Sequence, residues 1–151
     1  MKEGGHMKTR DAEIVFISRM NDPDELKCQQ QTTTVVQGKV GESGSSLYLV
    51  FSAKIADVGQ ADYTIRVGGN EALILRKGAL PMRQPLMVGQ IVAGTYDTAY
   101  GRMETKAAAE TIDSIIDASG DSGSIRIVYA LSIQGQSVGK MVLDYHYKVS
   151  L

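Results

Sequence analysis

The segment Lys140-Met141-Val142-Leu143-Asp144-Tyr145-His146-Tyr147-Lys148-Val149 decides the fold. Side chains of a strand point alternately to opposite faces, so a period of two is the primary strand signal. Met141, Leu143, Tyr145, Tyr147 and Val149 share one face, and Lys140, Asp144, His146 and Lys148 share the other, with Val142 the exception. One wet face and one buried face are what an antiparallel strand on a core requires. The segment before it repeats the pattern, with Ile125, Ile127, Tyr129, Leu131 and Ile133 on a common face. Gln134-Gly135-Gln136 between the two is a short Gly-containing hairpin connection.

Working outward, Leu47, Leu49 and Phe51 make a third apolar face, entered from the polar loop Gly41 to Ser46. Leu26, Cys28, Gln30, Thr32, Thr34 and Val36 make a more polar one, which predicts an inward-facing Cys28. Tyr63 to Val67 and Glu71 to Arg76 flank Gly68-Gly69-Asn70, a strong turn. Leu80 to Val88 contains Pro81 and Pro85, which cannot donate ladder hydrogen bonds and belong at an edge, a bulge or an irregular stretch. Ile91 to Tyr100 runs into Gly101, which is placed in a tight hairpin turn. Arg102 to Ala118 is ambiguous. Its alanines favour helix and Ile112, Ile115 and Ile116 have helical spacing, yet Arg102, Glu104 and Lys106 alternate with Met103, Thr105 and Ala107. The sum is an all-β chain, an antiparallel meander of about eight to ten strands joined by short turns. Closing it into a barrel removes the exposed edges that invite aggregation.

The 151 residues suit one domain with a real core, placed at 8–151. Met1 to Met7 reads as an expression scar ending at a second start. No run approaches a membrane span and no apolar leader segment is visible. The net charge is -1, with Lys and Arg scattered among Asp and Glu, which disfavours capture of a nucleic-acid backbone. The single cysteine can form no intrachain disulfide, and a reducing cytoplasm suits it.

Three stretches between residues 63 and 149 resemble the YwiB-like family of uncharacterised bacterial proteins. They are Ile74-Leu75-Arg76-Lys77-Gly78 with Met82-Arg83-Gln84 and Gly89; Tyr96-Asp97-Thr98-Ala99-Tyr100-Gly101-Arg102-Met103-Glu104-Thr105; and Gly123 to Leu131 followed by Lys140 to Val149. The middle stretch is the most specific. The N-terminal third is similar only in its strand pattern, and Ser52 and Ala53 follow Phe51 where the family carries an acid. The resemblance implies a calycin-like barrel, related in shape to lipocalins and fatty-acid-binding proteins, and strand rather than helix over 103–111. It implies no activity, and the lipocalin Trp motif is absent because the chain has no Trp.

Candidate chemistry is sparse. Gly120-Asp121-Ser122-Gly123 has the letters of a serine-protease nucleophile loop, but His146 follows it in the wrong order and a hairpin turn explains it. His146 is expected on the solvated face, without the His or Cys neighbours a metal site needs. Asp113, Asp117 and Asp121 lack the ligand spacing of a calcium loop. No catalytic set, metal site or cofactor motif emerges, and the reading leans away from an enzyme. The inward tyrosines, Tyr129, Tyr145 and Tyr147, need partners for their hydroxyls, which neighbours, water or a ligand can supply. Arg76 and Gln84 lie on the same faces as Ile74, Leu80, Met82 and Leu86. An inward Arg76 is costly unless paired; it meets a ligand carboxylate or, more simply, reaches the barrel mouth. Arg76, Gln84, Tyr96, Thr105, Tyr129 and Tyr145 form the candidate ligand set, at the barrel interior or mouth. The expected function is a cytoplasmic barrel holding a small amphipathic ligand; the alternative is a filled barrel serving as a structural or interaction module.

Overall fold

The computed structural model describes residues 8–21 and 28–150, apart from the side chains of 28 and 29. The suspected scar at 1–7, Leu26 and the orientation of Cys28 lie outside the described residues. The strands are β1 (Lys8–Asn21), β2 (Cys28–Ser43), β3 (Ser46–Ile55), β4 (Gly59–Gly68), β5 (Glu71–Gly78), β6 (Met82–Met87), β7 (Ile91–Thr98), β8 (Gly101–Ile116), β9 (Ser122–Ile133) and β10 (Gln136–Val149). Each pairs with its chain neighbour antiparallel, and β10 returns to pair with β1, so the sheet is a closed barrel. This is the all-β meander that the alternation predicts, at the upper end of the strand count and consistent with a calycin-like shape.

The connections follow from local chemistry. Ile133 pairs with Gln136 across a two-residue turn in which Gln134 and Gly135 both have positive φ, the backbone twist a tight hairpin prefers. Gly120 and Asp121 lie in the turn and Ser122 and Gly123 begin β9, which is the hairpin reading rather than a nucleophile loop. His146 is exposed on the outer wall.

The ambiguous segment is strand from Gly101 to Ile116, and the structure shows why it mimics a helix. A bulge lies between Ala109 and Thr111 in the pairing with β9. Before it the inward residues are Thr105, Ala107 and Ala109; after it Ile112 takes the inward position opposite Ile127. The extra residue, Glu110, shifts the phase by one, and Ile115, exposed on the outer side, completes the helix-like spacing with Ile112 and Ile116.

One half of the interior is filled. Ile14, Leu49, Ile65, Ile125 and Ile127 are fully buried toward the end that carries the β2–β3, β4–β5 and β8–β9 turns. Each such side chain contributes about 1.5–3 kcal/mol. The boundary of this half is a cluster of four rings. Phe16 stacks on Tyr145 at 4.7 Å and Phe51 on Tyr63 at 4.9 Å, while Phe16 and Phe51 meet at 6.0 Å. Both stacked pairs are register partners, Phe16↔Tyr145 on β1–β10 and Phe51↔Tyr63 on β3–β4.

On the outer wall the closing seam carries an ion-pair network. Asp144 of β10 accepts from Arg19 of β1 and from Arg126 of β9 in a two-pronged contact. Val142, the exception on this polar face, is 9% exposed and lies in register between Arg19 and Val128.

Two outcomes follow. Gly101 has φ +115° and nothing within 4 Å of an added Cβ, so only backbone strain opposes a side chain there. Gly101→Val is expected to lower stability by more than about 1 kcal/mol in denaturant titration. The hydrogen bond from Arg126, aided by the charges of Arg126, Arg19 and His146, holds the Asp144 carboxyl below its ordinary value against the opposing effect of burial. A depressed carboxylate contributes stability above the unfolded pKa of about 4 and loses it as pH falls through the folded value. The stability difference between the native chain and Asp144→Asn is therefore expected to be full at neutral pH and to shrink below about pH 4. A difference that stayed constant from neutral pH to well below pH 4 would contradict this account.

Candidate functional site

The other half of the interior is a cavity of about 380 Å³. Its walls come from the strand ends beside the β3–β4, β5–β6, β7–β8 and β9–β10 turns, and Phe16, Tyr63 and Tyr145 form its floor. All six candidate residues, Arg76, Gln84, Tyr96, Thr105, Tyr129 and Tyr145, line this one space. They fall into two groups.

Gln84 and Thr105 are tied into the wall. Gln84 is 1% and Thr105 2% exposed. The Thr105 hydroxyl donates to Gln84 Oε1, and Gln84 Nε2 donates to the carbonyls of Pro85 and Val92. The reason is local. Pro85 has no N–H, and the β6–β7 ladder is confined to Met82↔Tyr96 and Arg83↔Thr95. Beyond that point Gln84 bridges the two strands with its side-chain amide. Gly94 makes room for it: a Cβ there would lie 2.7 Å from Gln84 Oε1 and 2.8 Å from Thr105 Oγ1. The irregular stretch expected from the prolines is this gap.

Arg76, Tyr96, Tyr129 and Tyr145 present polar groups to the cavity. The Arg76 guanidinium lies between the rings of Tyr63 and Tyr96, at 5.9 and 5.8 Å from their centroids. Its Nε donates to the carbonyl of Leu80 at 2.6 Å. Leu80 has φ +49°, a conformation rare for a branched side chain, and this turns its carbonyl toward the arginine. Among the described residues no carboxylate pairs with Arg76. Burial pushes the Tyr129 hydroxyl up to about 12, with the positive charge of Arg76 acting the other way. Burial, then Tyr129 and Tyr63, raise Tyr145 well above its usual value. Both phenols are therefore neutral donors at physiological pH. Among the described residues neither hydroxyl bonds to another protein group.

Reasoning from the sequence missed Phe16, Tyr63 and Leu80 as parts of this site. Tyr63 carried a signal, because it alternates with Ile65 and Val67. Phe16 is masked in sequence by Val15 and Ile17, apolar residues on the outer side of the same strand. The face pattern places Leu80 beside Arg76, but nothing local marks its carbonyl as the partner of the guanidinium.

Fold and site together define a small closed ten-strand barrel with one packed half and one hollow half. The chain belongs to the family described as a domain of unknown function, DUF1934, whose model matches residues 15–144. The uncharacterized β-barrel protein YwiB of Bacillus subtilis (strain 168) is 29% identical over 91 residues, covering 59% of this chain and 63% of that protein. The match thus spans somewhat less than two thirds of that relative's length. The crystal structure of the Bacillus subtilis protein superposes with a TM-score of 0.83 at 21% identity, covering 100% of both chains, and so shares the fold.

The wall bond yields a direct expectation. Thr105→Val keeps the shape but leaves Gln84 Oε1 buried without its donor, which is expected to cost about 1–3 kcal/mol in denaturant titration. A loss within about 0.5 kcal/mol would mean that Gln84 finds another partner.

Proposed function

We propose that this protein binds a small, partly apolar ligand inside the barrel and does so in the cytoplasm. The observation that carries the reading is the half-hollow interior. A cavity of about 380 Å³ sits beside a packed core, and its lining is largely apolar with a few polar groups. That volume is at the small end of the range of ligand pockets, about 300–1,000 Å³, and suits a compact molecule. The lone cysteine supports the reducing compartment. The rival reading, a filled barrel acting as a structural or interaction module, suits the packed half alone.

The test uses a neutral fluorescent probe, N-phenyl-1-naphthylamine, with native mass spectrometry of freshly purified protein to detect a retained ligand. The dye is expected to bind one per chain, with a blue-shifted emission. Met141→Trp, which adds bulk inside the cavity, is expected to abolish that binding and keep the native melting transition. A native chain that takes up no dye and carries no retained ligand, or a folded tryptophan variant that binds dye as well as the native chain, would overturn the reading.

A further inference from the structure

We infer that the ligand is a monoanionic amphiphile whose carboxylate lies against Arg76, an inference that rests on the interior being a binding cavity. The described lining of the cavity carries a single charged side chain, Arg76. A guanidinium facing an apolar space is costly unless an opposite charge compensates it, and no carboxylate among the described residues does so.

The arginine is held for this task. The rings of Tyr63 and Tyr96 flank it, and the Leu80 carbonyl takes the Nε proton. These contacts leave the two terminal nitrogens, whose parallel N–H bonds match the two oxygens of a carboxylate. Tyr129 lines the same cavity as Arg76 and its buried hydroxyl stays protonated, so it is a second donor open to the anion.

Charge arithmetic selects among anions. One positive charge balances a carboxylate, whereas a phosphate monoester at neutral pH would bring nearly a second negative charge with no partner among the described lining residues. The remaining surface, including Ile74, Leu131, Met141 and Leu143, suits a short hydrocarbon tail. A cation-headed amphiphile would place like charge against Arg76 and is disfavoured.

Isothermal titration calorimetry with octanoate, octanol and octylammonium tests the assignment, using the full chain stripped of retained small molecules. Octanoate is expected to bind at least about tenfold more tightly than octanol, a difference of about 1.4 kcal/mol, with octylammonium the weakest. Arg76→Gln is expected to remove the preference for octanoate while octanol binds as before. Arg76→Lys, which keeps the charge without the fork, is expected to keep part of it. Tyr129→Phe checks the second donor and is expected to weaken octanoate more than octanol without changing the melting temperature. Equal binding of octanoate and octanol, or a preference that survives in Arg76→Gln, would overturn the anion assignment and leave the cavity reading standing. Failure of all three to bind would overturn the assignment, and uptake of the neutral dye then decides separately whether the cavity binds anything. If Arg76→Gln fails to fold, the octanoate-to-octanol ratio in the native chain and in Tyr129→Phe decides.

Discussion

The stacking of Phe16 on Tyr145 holds two things at once. The two residues are register partners on β1 and β10, the strands that join the ends of the meander into a ring. The same rings lie across the interior between the packed half and the cavity. A cross-strand aromatic pair adds about 0.5–1.5 kcal/mol beyond the area it buries. It also sets the register, because a slip of one residue would turn every inward side chain of β10 outward. Tyr147, Leu143 and Met141 take their places from that register, as Asp144 does on the outer wall beside Arg19 and Arg126.

The interior is accordingly divided by side-chain type. Branched aliphatic residues, which pack densely with no polar demand, dominate the end near the β2–β3 and β8–β9 turns, where Tyr147 is the buried tyrosine, seated against Gly123. The other end carries rings with hydroxyls, a guanidinium and long flexible side chains such as Met82 and Met141. Tyrosine hydroxyls and an arginine resist complete burial among aliphatic groups, and methionine adapts to an irregular surface. The proposed function follows from this division, since a uniform aliphatic filling would leave no room and nothing to orient a guest.

Much of the barrel was legible in the sequence because most of its strands have one wet face. The alternation in Lys140 to Val149 and in Ile125 to Ile133 translates directly into β10 and β9. Legibility failed where that condition failed. β1 carries Val15 and Ile17 on its outer side, so its period is blurred and Phe16 is hidden. In β8 the bulge at Glu110 resets the phase midway, and the exposed Ile115 completes a helix-like spacing with Ile112 and Ile116. The candidate residues could be named because polar side chains interrupted apolar faces. Their division into a wall-binding pair and a cavity-facing group could not, because Gln84 meets Thr105 across 21 positions of the chain. Likewise the support of Arg76 by Leu80 depends on a backbone angle that no side-chain pattern announces.

The seam between β6 and β7 gives the ring an unusual kind of protection. An incomplete ladder normally leaves backbone donors and acceptors free to template a strand from another molecule. Here Pro85 withholds a donor, and Gln84 reaches across to the carbonyl of Val92. The place a foreign strand would take is held by a side chain of the barrel itself. The cylinder can therefore tolerate a short ladder in its wall without presenting a sticky edge, so a locally loosened seam need not become a starting point for assembly between molecules.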